Sequence, residues 1–179
     1  MGVNLDSLAK ATKDLDEATF VAKHPEAVLI FKPPLPDTAT GPDLETDQYA
    51  LPGKEGAEAA AARARETMGS SIVLFLRSNK GEPFVSVGRG READIAIPLG
   101  NVSRIHALFS PTAGGGWSVT DNRSTNGTFV NDHRLDAGAT TEVLDGGWIR
   151  FGADATVKFF TPLGLFGFLK MYRASVGIA

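Results

Sequence analysis

The sequence predicts an all-β sandwich of two antiparallel sheets with short strands, extended by helical segments at both ends. Between residues 72 and 160, short apolar or alternating runs follow one another closely and are separated by turn residues. Many short strands at such close spacing are typical of a sandwich or a barrel. Outside this stretch, apolar residues recur at helical intervals instead, which predicts the terminal helices.

Residues 1–70 are predicted to form an N-terminal extension of the sandwich. Apolar residues at helical spacing predict a short amphipathic helix from about residue 4 to 18. The compact apolar run at 27–31 predicts a strand. Residues 32–43 are Pro-rich and acidic, which predicts an extended linker, and the Ala-rich residues 54–68 predict a helix.

From residue 72 onwards, nine strands are predicted in close succession. They cover 72–76, 84–87, 95–97, 107–109, 117–120, 129–130, 142–144, 148–151 and 156–160. The sandwich domain is therefore predicted to span residues 71–161, and a segment of about 90 residues is long enough to bury one sandwich core.

The last segment, residues 162–179, is predicted to be a helix with a short tail. Thr161-Pro162 is a helix-start signal, because Thr caps well and Pro fits the first helical turn. Leu163, Phe166, Leu169 and Tyr172 then recur every three residues. One interpretation is a helix packed on the sandwich or on the N-terminal region. The other is a helix that binds a partner or a membrane surface, although its two cations are few for a membrane surface.

The composition of the 179-residue chain is that of a globular protein, with 42% apolar and 22% charged residues. The chain has no cysteine, which excludes disulfides, thiolate metal ligands and thiol nucleophiles. It also has no apolar run of about 20 residues and no signal-peptide pattern, so a cytoplasmic protein without a membrane span is predicted. The Ala- and Gly-rich flanks suggest a bacterial source.

Charge is distributed unevenly along the chain. Residues 1–71 hold 7 Lys/Arg and 12 Asp/Glu, whereas residues 72–161 hold 9 of each and are neutral. The overall net charge of −3 argues against nucleic-acid binding, which depends on neutralising many phosphates. Most cations of the neutral segment are arginines, the side chains suited to bidentate contacts with a single phosphate.

Three motifs in the central segment carry recognisable chemistry. Gly88-Arg89 places a guanidinium at a strand end, Ser103-Arg104-Ile105-His106 offers a hydroxyl and a second guanidinium, and Thr125-Asn126-Gly127 adds an amide and a turn. Each motif also has an ordinary structural explanation. A strand-end arginine can simply face water, a serine can cap a turn, and Asn-Gly is a common hairpin signal.

Together, in this order and within a strand-rich stretch, these motifs resemble the forkhead-associated (FHA) domain over about half of the chain, from about residue 72 to 161. The resemblance implies a module that recognises phosphothreonine peptides through strand-connecting loops. The phosphopeptide-binding residues that it implies are Arg89, Ser103, Arg104, Thr125 and Asn126. The residues that it implies as structural support of the site are Gly88, His106 and Gly127.

Two further features follow from the resemblance. Asn101 and Val102 lie in the loop that, in relatives, helps to select the residue three positions after the phosphothreonine. The chain departs from the pattern at Asn131-Asp132, where relatives often have Asn-Gly. The departure concerns hairpin geometry, because Asp tolerates a positive φ less well than Gly.

The predicted function is a non-catalytic adaptor in Ser/Thr kinase signalling. Its predicted partners are a phosphothreonine-containing protein and a Ser/Thr kinase or its substrate, with no cofactor, no metal and no nucleic acid. A catalytic triad of Ser103, His106 and Asp121 is rejected, since the sequence around Ser103 lacks the elbow that exposes a nucleophilic serine.

Two alternatives remain open. One is a phospho-independent scaffold that uses the sandwich faces or the C-terminal helix. The other is a self-occluded regulator in which Thr38, Thr40 or Thr46 of the acidic segment occupies the site.

Overall fold

The computed structural model describes residues 2–33 and 70–178, which form two packed sheets and a layer of helices. The strands of the larger sheet are β1 (Val3–Asn4), β2 (Val28–Phe31), β3 (Ile72–Phe75), β8 (Thr128–Val130), β9 (His133–Arg134), β11 (Trp148–Phe151) and β12 (Ala155–Phe160). Those of the smaller sheet are β4 (Val85–Gly88), β5 (Ile95–Ala96), β6 (Ala107–Pro111), β7 (Trp117–Asp121) and β10 (Thr140–Val143). The helices are α1 (Leu5–Ala11), α2 (Glu17–Lys23) and α3 (Pro162–Val176). The predicted all-β sandwich with helical ends is confirmed.

The strand order is β1-β3-β2-β12-β11-β8-β9 in the larger sheet and β10-β7-β6-β4-β5 in the smaller one. All pairs are antiparallel except β4 with β5, so the expectation of purely antiparallel sheets is wrong at this pair. Parallel neighbours usually need a long crossover, whereas only residues 89–94 connect these two strands. The Asp94 carboxylate holds this short loop back on β4, accepting hydrogen bonds from the backbone N–H and the hydroxyl of Ser86.

The main core lies between the two sheets. Side chains alternate along β12, where Val157 and Phe159 are fully buried while Thr156 and Lys158 lie on the outer face. Phe109 of the smaller sheet and Phe151 of the larger one meet edge to face in this core, with ring centroids 6.4 Å apart. Burial of such side chains is the principal stabilising term of the sandwich, and each contributes about 1.5–3 kcal/mol.

Strand β2 is an interior strand of the larger sheet. It pairs with β3 on one side and with β12 on the other, and all four of its residues are buried. Leu29 and Phe31 lie in the main core, whereas Val28 and Ile30 lie in a second core beneath the helices. Because both faces of the strand are buried, its sequence is continuously apolar and does not alternate. The larger sheet therefore crosses the predicted boundary between residues 70 and 71. The division of the chain into 1–70, 71–161 and 162–179 as separate units stays a prediction.

The N-terminal helical region differs from its prediction. Instead of one helix from 4 to 18, the chain forms α1 and α2, separated by residues 12–16. The break occurs because Asp16 is the N-cap of α2 and its carboxylate accepts a hydrogen bond from the Thr19 N–H, 2.8 Å away. The predicted linker beyond Pro33 and the predicted helix at 54–68 lie outside the described residues.

The predicted C-terminal helix is present as α3. Its N-cap is Thr161, whose hydroxyl oxygen accepts a hydrogen bond from the Gly164 N–H. Leu165 and Leu169 are fully buried in a second core with α1, α2, β2 and β3, whereas Leu163, part of the predicted stripe, is 56% exposed. An α-helix repeats every 3.6 residues, so a strict spacing of three drifts off the buried face. The interpretation as a packed terminal helix is the one observed.

The helical layer covers only part of the outer face of the larger sheet. Val28, Ile30, Val73 and Phe160 point into the second core beneath the helices. The outer faces of β8, β9 and β11 carry no such layer among the described residues, and Trp148 on β11 is 54% exposed. Within the described ranges, the sheet thus has one half that helices cover and one half that they leave uncovered.

Candidate functional site

The three sequence motifs lie in loops that are joined by hydrogen bonds at one end of the sandwich. The backbone N–H of Arg89, just after β4, donates to the carbonyl of Ser103 at 2.9 Å, and that of Gly90 donates to Arg104 at 3.0 Å. The backbone N–H of Thr125, in the loop before β8, donates to the Ser103 hydroxyl oxygen at 3.1 Å. The fold therefore brings together residues separated by up to 36 positions.

Gly88 is required by the closeness of two backbones. It is the last residue of β4 and is buried, and a Cβ built on it would lie 2.1 Å from the Arg104 carbonyl oxygen. Because this obstacle is backbone, no rotamer change relieves it. Glycine at this position lets the loop with Ser103 and Arg104 lie directly on β4, next to Arg89.

Arg89 and Arg104 are both exposed, but they differ in their partners. The Nε of Arg104 pairs with a Glu92 carboxylate oxygen at 2.7 Å, so the ordinary surface ion pair considered for this residue is present. The guanidinium of Arg89 has no hydrogen bond or ion pair within residues 2–33 and 70–178. Exposed ion pairs are weak, so an incoming anion can compete with Glu92 for Arg104.

Ser103 and Thr125 provide hydroxyl groups at the same surface. The Ser103 oxygen accepts the Thr125 N–H, which leaves the hydroxyl hydrogen free to donate to a ligand. Ser103 is half-buried and Thr125 is exposed. The loop pair thus presents neutral donors beside the two guanidinium groups.

Asn126 and Asn101 connect these loops to a fourth one. The Asn126 amide donates to the Asn101 carbonyl at 2.7 Å, and the Asn101 amide donates to the Asp154 carboxylate at 2.7 Å. Gly152, in the same β11–β12 loop, has a φ of +66° and approaches Asn101 so closely that a Cβ would lie 2.7 Å from its carbonyl oxygen. The sequence predictions missed this loop, for which the only signal was a glycine directly after a strand.

Val102 does not lie where a specificity residue would be expected. Its side chain is 1% exposed and packs in the main core. The side chain is thus not at the surface, and the predicted part of Val102 in specificity stays a prediction. Asn101 is half-buried beside Asn126, and its part in specificity likewise stays a prediction.

His106 is a buried residue that holds two loops of the site together. It is fully buried, its Nδ1 accepts the Ser103 N–H at 3.0 Å, and its Nε2 lies 3.1 Å from the Gly127 carbonyl oxygen, to which it donates. Both ring nitrogens are thus used to hold two loops together. Such a histidine has no nitrogen left to act as a base for the Ser103 hydroxyl, which agrees with the rejection of a triad.

Asp121 organises the turn before β8. Its carboxylate accepts hydrogen bonds from the Ser124 N–H, the Ser124 hydroxyl and the Thr128 hydroxyl. Burial raises the pKa of Asp121, but these hydrogen bonds outweigh it, and the pKa lies below its ordinary value. The turn ends at Gly127, whose φ of +83° is a conformation that favours glycine. This network fixes the position of Thr125 and Asn126.

Positive φ angles also occur at Asn131-Asp132, where the sequence departs from the family pattern. Asn131 and Asp132 both have positive φ, +46° and +67°, in the tight turn between β8 and β9. Asn and Asp are the non-glycine residues that adopt this conformation most readily. The departure is therefore accommodated within the hairpin and does not disturb the loops of the site.

The stability of this loop assembly is expected to depend on pH through His106. Burial lowers its pKa below the ordinary value of 6.5, against the smaller raising effects of the Gly127 carbonyl and of Asp121. The unfolded chain therefore takes up a proton at a higher pH than the folded protein. Stability is full above about pH 6.5 and falls as the pH decreases below it, down to the folded-state pKa.

Urea unfolding measured at several pH values between about 7.5 and 5 tests this expectation. The pKa values of Asp94 and Asp121 are lowered, so their contribution is lost only below about pH 4. A His106→Gln variant serves as the control, because glutamine does not titrate. An equal loss of stability in wild type and variant over this range would contradict the role of His106.

Within the described ranges, no group of three or more His, Cys, Asp or Glu is placed to hold a metal ion. In the same ranges, no helix is long and apolar enough to cross a membrane.

Comparison with known proteins identifies the domain. The family model of the FHA domain matches residues 85–152, a stretch that holds the loops with Arg89, Ser103 and Asn126. The chain contains an FHA domain. FHA domains are recognition modules without catalytic activity.

Curated proteins show the same likeness over this part of the chain. An ABC transporter ATP-binding/permease protein of Mycobacterium tuberculosis is 38% identical over 105 residues, which cover 55% of this chain and 12% of the relative. The glycogen accumulation regulator GarA of Mycolicibacterium smegmatis is 35% identical over 100 residues, which cover 52% of this chain and 61% of the relative. The chain thus spans less than two thirds of either relative, and the likeness concerns the FHA domain.

Among solved structures, Mycobacterium tuberculosis EmbR in complex with a low-affinity phosphopeptide is similar. It is 28% identical with a TM-score of 0.41, covering 52% of this chain and 22% of EmbR.

Proposed function

We propose that the FHA domain of this protein binds phosphothreonine-containing protein segments at the loops around Arg89, Ser103 and Asn126. The observation that carries the proposal is that the exposed Arg89 guanidinium, without a protein partner among the described residues, lies in a loop bonded directly to that of Ser103. The hydroxyl hydrogen of Ser103 is free to donate there. A guanidinium and a hydroxyl in this arrangement form a site for an anion with several acceptor oxygens.

A phosphothreonine fits these donors. Its phosphate carries about −1.5 to −2 charges and three acceptor oxygens. In the proposed complex, Arg89 binds the phosphate through two parallel N–H bonds, Ser103 and Thr125 donate hydroxyl hydrogens, and Arg104 exchanges Glu92 for phosphate. The Asn126 side chain, held by Asn101, binds the peptide backbone next to the phosphothreonine.

The cellular role that follows is that of an adaptor in Ser/Thr kinase signalling. The protein contributes recognition only, and a separate kinase creates the phosphothreonine on the partner or on itself. Because that kinase requires ATP, the proposed location is the cytoplasm. A phospho-independent scaffold is the competing function.

A second candidate function, self-occlusion, is supported by the course of β2. Phe31 pairs with Val157, so the chain leaves β2 towards Ala155 and the β11–β12 loop. This loop carries Gly152 and Asp154 of the site. Thr38, Thr40 and Thr46 follow 7, 9 and 15 positions after Phe31, and a short tether gives an effective concentration in the millimolar range.

The test is binding of a degenerate phosphothreonine peptide library and of its unphosphorylated counterpart to the full chain. Phosphate-dependent binding supports the proposal and yields the preferred sequence. Equal binding of both libraries, or none, supports the scaffold. For self-occlusion, the chain is first treated with a Ser/Thr kinase, and phosphorylation of one N-terminal threonine must then prevent library binding. Alanine at that threonine must restore it.

A further inference from the structure

The uncovered half of the larger sheet carries a row of cations and aromatic rings. Arg134 on β9, Phe129 on β8, Arg150 on β11 and Thr156 on β12 are direct cross-strand neighbours and form one row across four strands. The next row contains Trp148 opposite Lys158. We call the six residues of these two rows together the cationic row.

The cations of this row are held on aromatic faces rather than paired with acids. The guanidinium carbon of Arg150 lies 3.8 Å from the centroid of the Phe129 ring, and that of Arg134 lies 5.8 Å from the same centroid. The Lys158 ammonium lies 5.0 Å from the Trp148 ring centroid. None of the three has an ion pair within residues 2–33 and 70–178, so their charges are available to an anionic partner.

The row borders a surface cavity of about 340 Å³, lined by Phe129, Asp132, Trp148, Arg150 and Thr156. Asp132 is the one acidic residue in this lining. Arg150 is the cation in this lining, and Arg134 and Lys158 are its neighbours in the cationic row, so the surface as a whole carries three cations and one acid beside exposed aromatic rings. Such a surface is complementary to carboxylates on an extended segment, and stacking on the rings limits the conformations that the cations must give up on binding.

The cationic row is continuous with the loops proposed to bind phosphothreonine. The Nη1 of Arg150 donates to the Gly152 carbonyl at 2.5 Å, and Gly152 in turn donates its N–H to the Gly127 carbonyl at 2.9 Å. Arg134 lies against Gly127, since a Cβ built there would be 2.7 Å from its Nε. Arg150 thus contacts Gly152, and Arg134 lies beside Gly127, the residue that follows Asn126.

We propose that the cationic row extends the phosphothreonine site and binds acidic residues that flank the phosphothreonine on the side where the peptide leaves over Asn126. The inference rests on the proposed function and adds the class of ligand, an acidic phosphothreonine segment. A nucleic acid is the less suitable occupant, because the chain carries a net charge of −3 and the row offers only three cations.

The experiment measures the affinities of one phosphothreonine peptide in three versions. The flanking residues are Asp/Glu on the N-terminal side, Asp/Glu on the C-terminal side, or Gln/Ser on both sides. The proteins are full-length wild type, Arg134→Gln, Arg150→Gln and the control Lys170→Gln, which removes an exposed charge from α3 outside both surfaces. Urea unfolding verifies that each variant is folded.

In wild type, Asp/Glu residues on one side of the phosphothreonine are expected to raise the affinity about tenfold over that of the neutral peptide. Each arginine variant is expected to reduce this ratio about threefold to fivefold, the effect of one exposed ion pair. The ratio should also decrease with added salt, because exposed charges are screened within a distance of about 10 Å at 0.1 M salt. Lys170→Gln should leave it unchanged.

The inference would be overturned if the ratio of acidic-peptide affinity to neutral-peptide affinity were the same in Arg134→Gln, Arg150→Gln and Lys170→Gln. Phosphothreonine binding itself would then remain intact. Displacement of the acidic peptide by a short oligonucleotide would assign the row to nucleic acid instead. If wild type binds none of the three phosphopeptides, the proposed function and this extension both fail. If Arg150→Gln is unfolded, Arg134→Gln alone decides.

Discussion

Arg89→Ala is expected to lower the affinity for the phosphothreonine peptide by about 2–5 kcal/mol, the range measured when one partner of a buried, hydrogen-bonded charge pair is truncated. This corresponds to a loss of about 30-fold to several thousandfold in Kd. The reason is that Arg89 has no competing partner among the described residues, so its guanidinium is the one that the phosphate engages without displacing a carboxylate. Truncation leaves a desolvated phosphate without its principal counter-charge.

Isothermal titration of the peptide selected from the library measures this effect. Arg91→Ala is a matched control, since Arg91 is an exposed arginine of the same loop and its removal changes the net charge equally. Arg89→Lys should recover only part of the affinity, because an ammonium cannot make the bidentate contact. An Arg89→Ala variant that binds within about twofold of wild type would exclude Arg89 as the phosphate ligand.

Gly88→Ala is expected to destabilise the protein by about 3 kcal/mol and to weaken peptide binding as well, since overpacking a tight contact costs about 1–3 kcal/mol and sometimes more. The added Cβ would lie 2.1 Å from the Arg104 carbonyl oxygen, 2.7 Å from its carbonyl carbon and 2.9 Å from the Ile105 Cα. All three atoms are backbone, so either β4 or the loop before β6 must move. Movement of this loop separates Ser103 from Arg89.

Urea denaturation followed by circular dichroism gives the change in the free energy of unfolding. Gly114→Ala is the matched control, because a Cβ at Gly114 meets nothing within 4 Å and its φ is not positive. The control should stay within about 0.5 kcal/mol of wild type. If Gly88→Ala is as stable as Gly114→Ala and binds peptide equally well, the close approach at Gly88 does not determine the site.

The order and type of most elements were predictable from local patterns. The residues of β12 alternate between the two faces of the larger sheet, and Thr161-Pro162 marks the start of α3. The two-residue strands β1 and β9 were missed, because two residues carry no detectable period. The break between α1 and α2 was missed because Asp16 fits the polar face of one helix as well as the N-cap of another.

Burial decided the roles of several site residues in ways that residue type did not reveal. Val102 and Asn101 are sequence neighbours in the same loop, yet one packs in the main core and the other binds Asp154. Arg89 and Arg104 are both predicted phosphate ligands, but within residues 2–33 and 70–178 Arg104 forms an ion pair, with Glu92, and Arg89 does not. Such differences arise from contacts between residues far apart in the chain, which local patterns do not encode.

The sequence by itself determined that this chain forms a β sandwich with an Arg-Ser-Asn set in its loops, because strand periodicity and turn residues are local properties. Only the tertiary structure decided that β2 lies inside the larger sheet, that the β11–β12 loop joins the site, and that Arg134 and Arg150 stack on Phe129 beside it. These are consequences of strand order and register. A sheet places residues from distant strands side by side, and no local pattern specifies which strands become neighbours.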